Sequence, residues 1–146
     1  MQPSPYLQNF VPALHAPRPA LRVPYNVTKP FNFVDLVDVA EAATNVLLGS
    51  SHIGATYELG GPNPMSVGDL AGVAQVLLGR EVPAGRIDPG IWSASQGASL
   101  QPRVREWLLA MFDYYDRYGL RCGSIPLEAL LGRKPTDVET ALSRDL

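Results

Sequence analysis

The sequence is poor in the groups that most often announce a chemistry. It holds a single cysteine, Cys122, in 146 residues. No internal disulfide can form, so the stapled framework of a small secreted domain is excluded. Its only two histidines, His15 and His52, have no second His, Cys or carboxylate at ligand spacing, and no metal site is expected. Apolar runs stop short of the ~20 residues needed to cross a bilayer. The N-terminus lacks the charged-then-apolar layout of a signal peptide. A soluble, cytoplasmic chain is expected, with Asn26-Val27-Thr28 a chance match to the glycosylation sequon. Charge is also scarce. Charged residues make up 18% and the net charge is −2, which gives no electrostatic reason to bind nucleic acid or an acidic membrane.

Phosphate-binding loops are missing too. No Gly-x-Gly-x-x-Gly opens a helix after a strand, and no Walker loop occurs. Gly60-Gly61 follows a candidate strand, but Pro62 and Pro64 remove amide donors, so the pair reads as a turn. Cys122 has no histidine near it in sequence; Arg121 alone would lower its pKa slightly, which is too little for a nucleophile. No complete catalytic set is present, and no catalytic residue is assigned. The chain is not expected to work as an enzyme on its own.

What the sequence does have is proline: 14 residues, of which Pro3, Pro5, Pro12, Pro17, Pro19, Pro24 and Pro30 crowd the start. Proline fixes φ and restricts its predecessor, so residues 1–30 read as an extended connection with at most one short strand. Phe31 to Val34 is a strand candidate. Leu36, Val39, Ala40, Ala43, Val46 and Leu47 then recur at helical spacing, with Asp35 as N-cap and Asp38 as its capping-box partner. Ala55 to Leu59 alternates as a strand. Ser66 and Asp69 open a helix striped by Val67, Leu70, Ala71, Ala74, Leu77 and Leu78. Val82 to Ile87 is a short strand, and 88–102 is irregular. Val104, Trp107, Leu108, Met111, Phe112, Tyr115 and Tyr118 mark an amphipathic helix closed by Gly119. Pro126 to Leu131 is a short helix, and Thr136 with Glu139 caps the last one. Leu-Leu-Gly recurs at 47–49, 77–79 and 130–132, each read as a buried pair followed by a left-handed glycine.

Alternating helices and strands make this one α/β domain, residues 1–146, with a partly parallel sheet. Two or three strands cannot cover their own edges, so a lost N-terminal region, a partner chain or a second copy is expected to complete the sheet.

Two features invite a functional reading. Tyr25 and Lys29 have the Tyr-x-x-x-Lys spacing of short-chain dehydrogenases, which works when both side chains share one helix face. Here Pro24 and Pro30 flank the segment and push it out of the helical region, so the pair is not expected to act. The aromatic helix from Trp107 to Tyr118 serves as core, pocket wall or partner surface. Core is the simplest of the three. The Asp113–Arg117 pair supports a solvated opposite face.

Five motifs in order resemble the NmrA-like group of atypical short-chain dehydrogenase/reductase relatives. They are Pro3-Ser4-Pro5-Tyr6-Leu7-Gln8-Asn9-Phe10, Phe33-Val34-Asp35-Leu36-Val37-Asp38-Val39-Ala40, Tyr57-Glu58-Leu59-Gly60-Gly61-Pro62 followed by Met65-Ser66, Leu78-Gly79-Arg80-Glu81-Val82, and Leu131-Gly132-Arg133-Lys134-Pro135-Thr136. The resemblance implies a Rossmann-like fold that binds NADP or NAD, with this chain as the C-terminal, substrate-side part. The glycine-rich first half of such proteins is absent from the sequence. The expectation is therefore a truncated oxidoreductase or redox-sensor relative that binds no cofactor alone. The resemblance further implies that Pro5, Tyr6 and Asn9 approach the nicotinamide end of the cleft. Two alternatives stand beside this reading. One is a small-molecule module formed by a homodimer, its pocket lined by Trp92, Trp107, Phe112 and Tyr115 and suited to a small apolar ligand. The other is a protein-interaction regulatory module, by analogy with the group.

Overall fold

Proline breaks the first thirty residues into short pieces. In the computed structural model, which describes all of residues 1–146, β1 (Gln2–Pro3), a 3-10 turn (Leu7–Asn9), α1 (Val11–Leu14) and β2 (Leu21–Val23) follow one another. This is more structure than the single strand expected there. The remaining elements are α2 (Leu36–Leu48), β3 (Glu58–Leu59), α3 (Val67–Leu78), β4 (Ala84–Arg86), α4 (Pro89–Ala94), α5 (Pro102–Tyr118), α6 (Ile125–Leu131) and α7 (Val138–Asp145). α4 lies in the stretch read as irregular. Its signal is Asp88, whose carboxylate accepts the Gly90 and Ile91 amides, with Pro89 at the first helical position.

The strands make two separate parallel pairs. β1 runs beside β3 with Pro3 opposite Leu59, and β2 runs beside β4 with Arg22 opposite Gly85. The strand expected at 31–34 is reduced to single bridges. Phe31 bridges Met65 and Leu120, whereas Val34 bridges Tyr6. The segment is hydrogen-bonded on both sides, but to different neighbours at each residue, so no ladder extends. It is nonetheless the centre of the molecule. Phe31, Phe33 and Val34 are at most 1% exposed, and each buried side chain of this kind stabilises by roughly 1.5–3 kcal/mol.

Two apolar clusters lie on either side of it. The larger joins Leu7, Phe10, Leu14 and Leu21 to α3 and to Val138, Ala141 and Leu142 of α7. The smaller joins Val34, Val39 and Ala42 to Leu59, Leu127 and Leu131. α3 matches the expected stripe, and its Ser66–Asp69 capping box is complete. α2 does not match. It buries Asp38, Val39 and Ala42, while Leu36 and Leu47 are exposed. The rotation follows from Asp38. Its carboxylate accepts from the Thr136 amide and hydroxyl and from Arg133, so it belongs to a contact with the C-terminal segment rather than to a capping box. Asp35 caps α2 alone, through the Val37 amide. For the same reason Thr136 is not the cap of α7; Asp137 is, accepting from the Thr140 amide. Of the three Leu-Leu-Gly ends, Gly79 and Gly132 adopt the left-handed conformation, but Gly49 is extended at φ −85°. No helix is long and apolar enough to cross a membrane.

Candidate functional site

The N-terminal connection, β2, α4 and α5 enclose one sizeable cleft of about 620 Å³, inside the roughly 300–1,000 Å³ span of small-molecule sites. α5 supplies one wall because its inner face is incompletely covered. Leu108, Met111, Phe112 and Tyr115 all line the cleft, and no residue of α5 is fully buried. Trp92 of α4 closes the wall edge-on to Phe112, with ring centroids 4.8 Å apart. The opposite wall is β2 and its flanks, including Leu21, Arg22, Val23 and Tyr25. Pro5, Asn9 and Phe10 form the rim given by the N-terminal connection. Eleven of the 17 lining residues are hydrophobic, so the cleft favours an apolar body with few polar anchors.

The aromatic floor is tightly organised. Tyr25 meets Tyr115 edge-on at 5.5 Å and Phe112 at 5.8 Å, and Phe31 meets Tyr115 edge-on at 5.2 Å. Such contacts fix ring orientation and so preform the surface that a flat ligand would meet. Burial, reinforced by Tyr115, pushes the Tyr25 phenol well above its ordinary value. A lysine paired with a catalytic tyrosine does the opposite. Residues 26–29 form a turn in which the Asn26 carbonyl group of the side chain accepts from the Thr28 amide and hydroxyl, each at 2.9 Å. Tyr25 is a buried residue of the cleft wall.

Of the residues singled out from sequence, Pro5, Asn9, Trp92, Phe112 and Tyr115 share this one cleft. Tyr6 and Trp107 do not. Tyr6 packs on the smaller apolar cluster, held by its bridge to Val34. Trp107 is 61% exposed, and the Arg103 guanidinium sits 4.8 Å over its ring. Trp107 shares a stripe with Phe112 only if the apolar face is drawn too wide. The true inward face is narrower, and Val104 and Tyr118 also fall outside it. Sequence reading missed Arg22 and Gln96 as lining residues, and it placed Met111 on the apolar stripe of α5 without assigning it to a pocket. Arg22 carried a signal, since a lone charge in the Leu21-Arg22-Val23 alternation marks one outward side chain; Gln96 carried none.

Other expected features fall elsewhere. No three His, Cys, Asp or Glu side chains gather as metal ligands. His52 pairs with the Tyr57 hydroxyl at 2.8 Å. The Cys122 thiol is pushed up by burial, with Glu58 adding to this and Ser4 opposing it, so Arg121 does not activate it. The glycine pair faces backbone rather than phosphate. A Cβ on Gly60 would lie 2.5 Å from the Cys122 carbonyl oxygen, and one on Gly61 would lie 1.8 Å from that of Phe33.

Comparison with known proteins agrees with the fold. No family model matches the chain, and no curated protein gives a significant match. Solved structures do. An NADPH-dependent quinone oxidoreductase of Escherichia coli, QOR2, solved with NADPH, superposes with a TM-score of 0.79 at 20% identity, over 97% of this chain and 50% of that one. A nucleoside-diphosphate-sugar epimerase of Staphylococcus aureus gives 0.80 at 17%, over 97% and 50%. The triphenylmethane reductase of Citrobacter sp., solved with NADP(H), gives 0.70 at 20%, over 96% and 47%. The chain thus has an α/β fold that aligns with one half of each of these proteins, and it spans about half their length.

Proposed function

We propose that the chain supplies the substrate-side part of an NmrA-like, NAD(P)-linked reductase fold and holds a flat apolar substrate in the aromatic cleft. One observation carries this. Pro5 and Asn9, which the family resemblance sets at the nicotinamide end, line the same cleft as Trp92, Phe112 and Tyr115. A substrate lying on the aromatic floor would thus be within reach of a nicotinamide at the rim. The chain's own part is to bind, orient and exclude water. That the related structures include a quinone oxidoreductase and a triphenylmethane reductase fits a flat aromatic substrate.

The residues present do not fit a whole dinucleotide. The Gly60–Gly61 pair is filled by backbone, and Asp35, Ser66, Asp88 and Asp137 cap the N-termini of α2, α3, α4 and α7. The starts of α5 and α6 have no side-chain cap, but each carries a proline in its first turn, which removes an amide donor. Titration of the chain alone with NADPH is expected to show no saturable binding at micromolar concentration. Saturation would refute this division of labour. The proposal also has the strand edges covered, by a dinucleotide-binding half or a second copy, because each sheet has only two strands.

The two tryptophans provide the test. In Trp107→Phe the remaining indole, Trp92, lies in the cleft, and a naphthoquinone should quench it saturably. In Trp92→Phe the remaining indole is outside, and quenching should rise linearly without saturation. Phe112→Ala should weaken the saturable phase by about tenfold, the scale of a lost aromatic anchor. Linear quenching in both variants would sink the cleft as a ligand site.

A further inference from the structure

α2 leaves one whole face uncovered. At about 3.6 residues per turn, Leu36, Val37, Ala40, Thr44, Leu47 and Leu48 fall within one arc of about 120°. All six are exposed, Leu47 and Leu48 by 84% and 83%, Leu36 and Val37 by 46% and 53%. Thr44 apart, they are apolar, and none is charged. A surface helix ordinarily turns charge to water, and an exposed apolar stripe of this kind marks a contact site. The charged residues of α2 lie off the stripe. Asp38 is buried, and Glu41, at the edge, is held by Arg133. None of the six stripe residues lines the aromatic cleft, so the two surfaces are independent.

The stripe reads nearly the same from either end. Leu36 and Leu48 are equally far from position 42, as are Val37 and Leu47, and Ala40 and Thr44. A two-fold interface requires this, because one patch must complement itself. We propose that a second copy of this chain covers the stripe, the two α2 helices packing antiparallel about the level of position 42. Leu36 and Val37 of each copy then meet Leu47 and Leu48 of the other. At the crossing stand Ala40 and Thr44, small enough for the helices to approach to about 8–10 Å. Charge favours the arrangement. Glu41 and Arg133 of each copy flank the crossing, so each side brings one charge of each sign and the flank stays neutral. Area limits the strength. A helix of 13 residues is about 20 Å long and about 10 Å across, so this face is on the order of 200 Å². A standard stable interface buries about 800 Å² per partner. The dimer is therefore weak and forms only at high concentration.

Sedimentation equilibrium of the whole chain tests this. Between about 10 µM and about 1 mM, monomer should pass to dimer, half-converted at about 100 µM, the weak end for an interface below the standard size. Leu47→Glu should hold the chain monomeric throughout and leave its urea midpoint unchanged, because that side chain already sits in water. Ile125→Glu should dimerise like the original, since Ile125 is similarly open, 78% exposed, but lies on α6. Oxidation in a Cys122→Ser background reads the direction of packing. A chain with Val37→Cys and a chain with Leu48→Cys should join in a mixed disulfide, and neither should link to its own kind. A chain that stays monomeric at about 1 mM overturns the proposal and leaves the stripe to a different partner. A dimer that survives Leu47→Glu overturns it as well, and self-linking of either cysteine variant overturns the antiparallel packing.

Discussion

Gly61→Ala is expected to destabilise the chain by more than about 3 kcal/mol, the range of severe core overpacking. The reason is backbone meeting backbone. The Gly61 amide donates to the Asn32 carbonyl at 3.1 Å, and the Asn32 side-chain amide donates to the Gly61 carbonyl at 3.2 Å. These bonds hold the two segments so close that a Cβ would sit 1.8 Å from the Phe33 oxygen. No rotamer relieves such a contact, so the strands must part. Phe33 would move with them, and Phe33 is stacked on Phe31 at 5.4 Å in the middle of the core. Urea unfolding provides the measurement, with Gly72→Ala as the control. Nothing lies within 4 Å of a Cβ at Gly72, in α3, and alanine there should add roughly 0.5–1 kcal/mol. A Gly61→Ala chain as stable as the original would show that the close approach is not needed.

Arg144→Met is expected to cost about 2–4 kcal/mol, a little under the usual loss for breaking a buried pair because water reaches the arginine. Asp35 is fully buried between α2 and α7. Arg144 holds both of its oxygens, at 2.8 and 3.0 Å, and Gln8 and the Val37 amide hold one of them as well. Burial by itself pushes this carboxyl up. The hydrogen bonds and charge of Arg144, with help from Val37 and Gln8, outweigh burial and hold it below the ordinary carboxylate range. Its contribution is therefore complete above about pH 4, the unfolded value, and is lost as pH falls through the lower folded one. Asp145, held down first by Arg144, shifts in the same direction. Without the arginine, burial dominates and the aspartate prefers its neutral form. The stability gap between the two chains should thus close as pH falls from about 6 toward about 3. A gap independent of pH would mean that Arg144 acts by packing alone.

These two positions also show where sequence reading succeeds and fails. Local signals carried well: Ser66 with Asp69, Asp35 before α2, and the glycines that end α3 and α6 need only their own neighbours. Asp38 was misread because its partners, Arg133 and Thr136, lie far along the chain, and a capping box looks the same in sequence whether or not it closes. Gly61 was read as turn, though its real constraint is a carbonyl oxygen 28 positions earlier. The segment 31–34 was read as a short strand and not as a crossing point that pairs with a different segment at each residue. Trp92, Phe112 and Tyr115, singled out by their apolar bulk, line one cleft. Trp107 was drawn in by the same bulk, since periodicity alone does not fix the width of a helix's buried face.

The proposed ligand site is the cleft that Trp92, and not Trp107, shares with Pro5 and Asn9. The indole N–H signals of the two tryptophans, followed by NMR during titration with a naphthoquinone, test it most directly. The Trp92 signal should move saturably, together with the backbone amides of Asn9 and Phe112, while the Trp107 signal stays in place. Movement of Trp107 alone, or no saturable movement of Trp92, would contradict it.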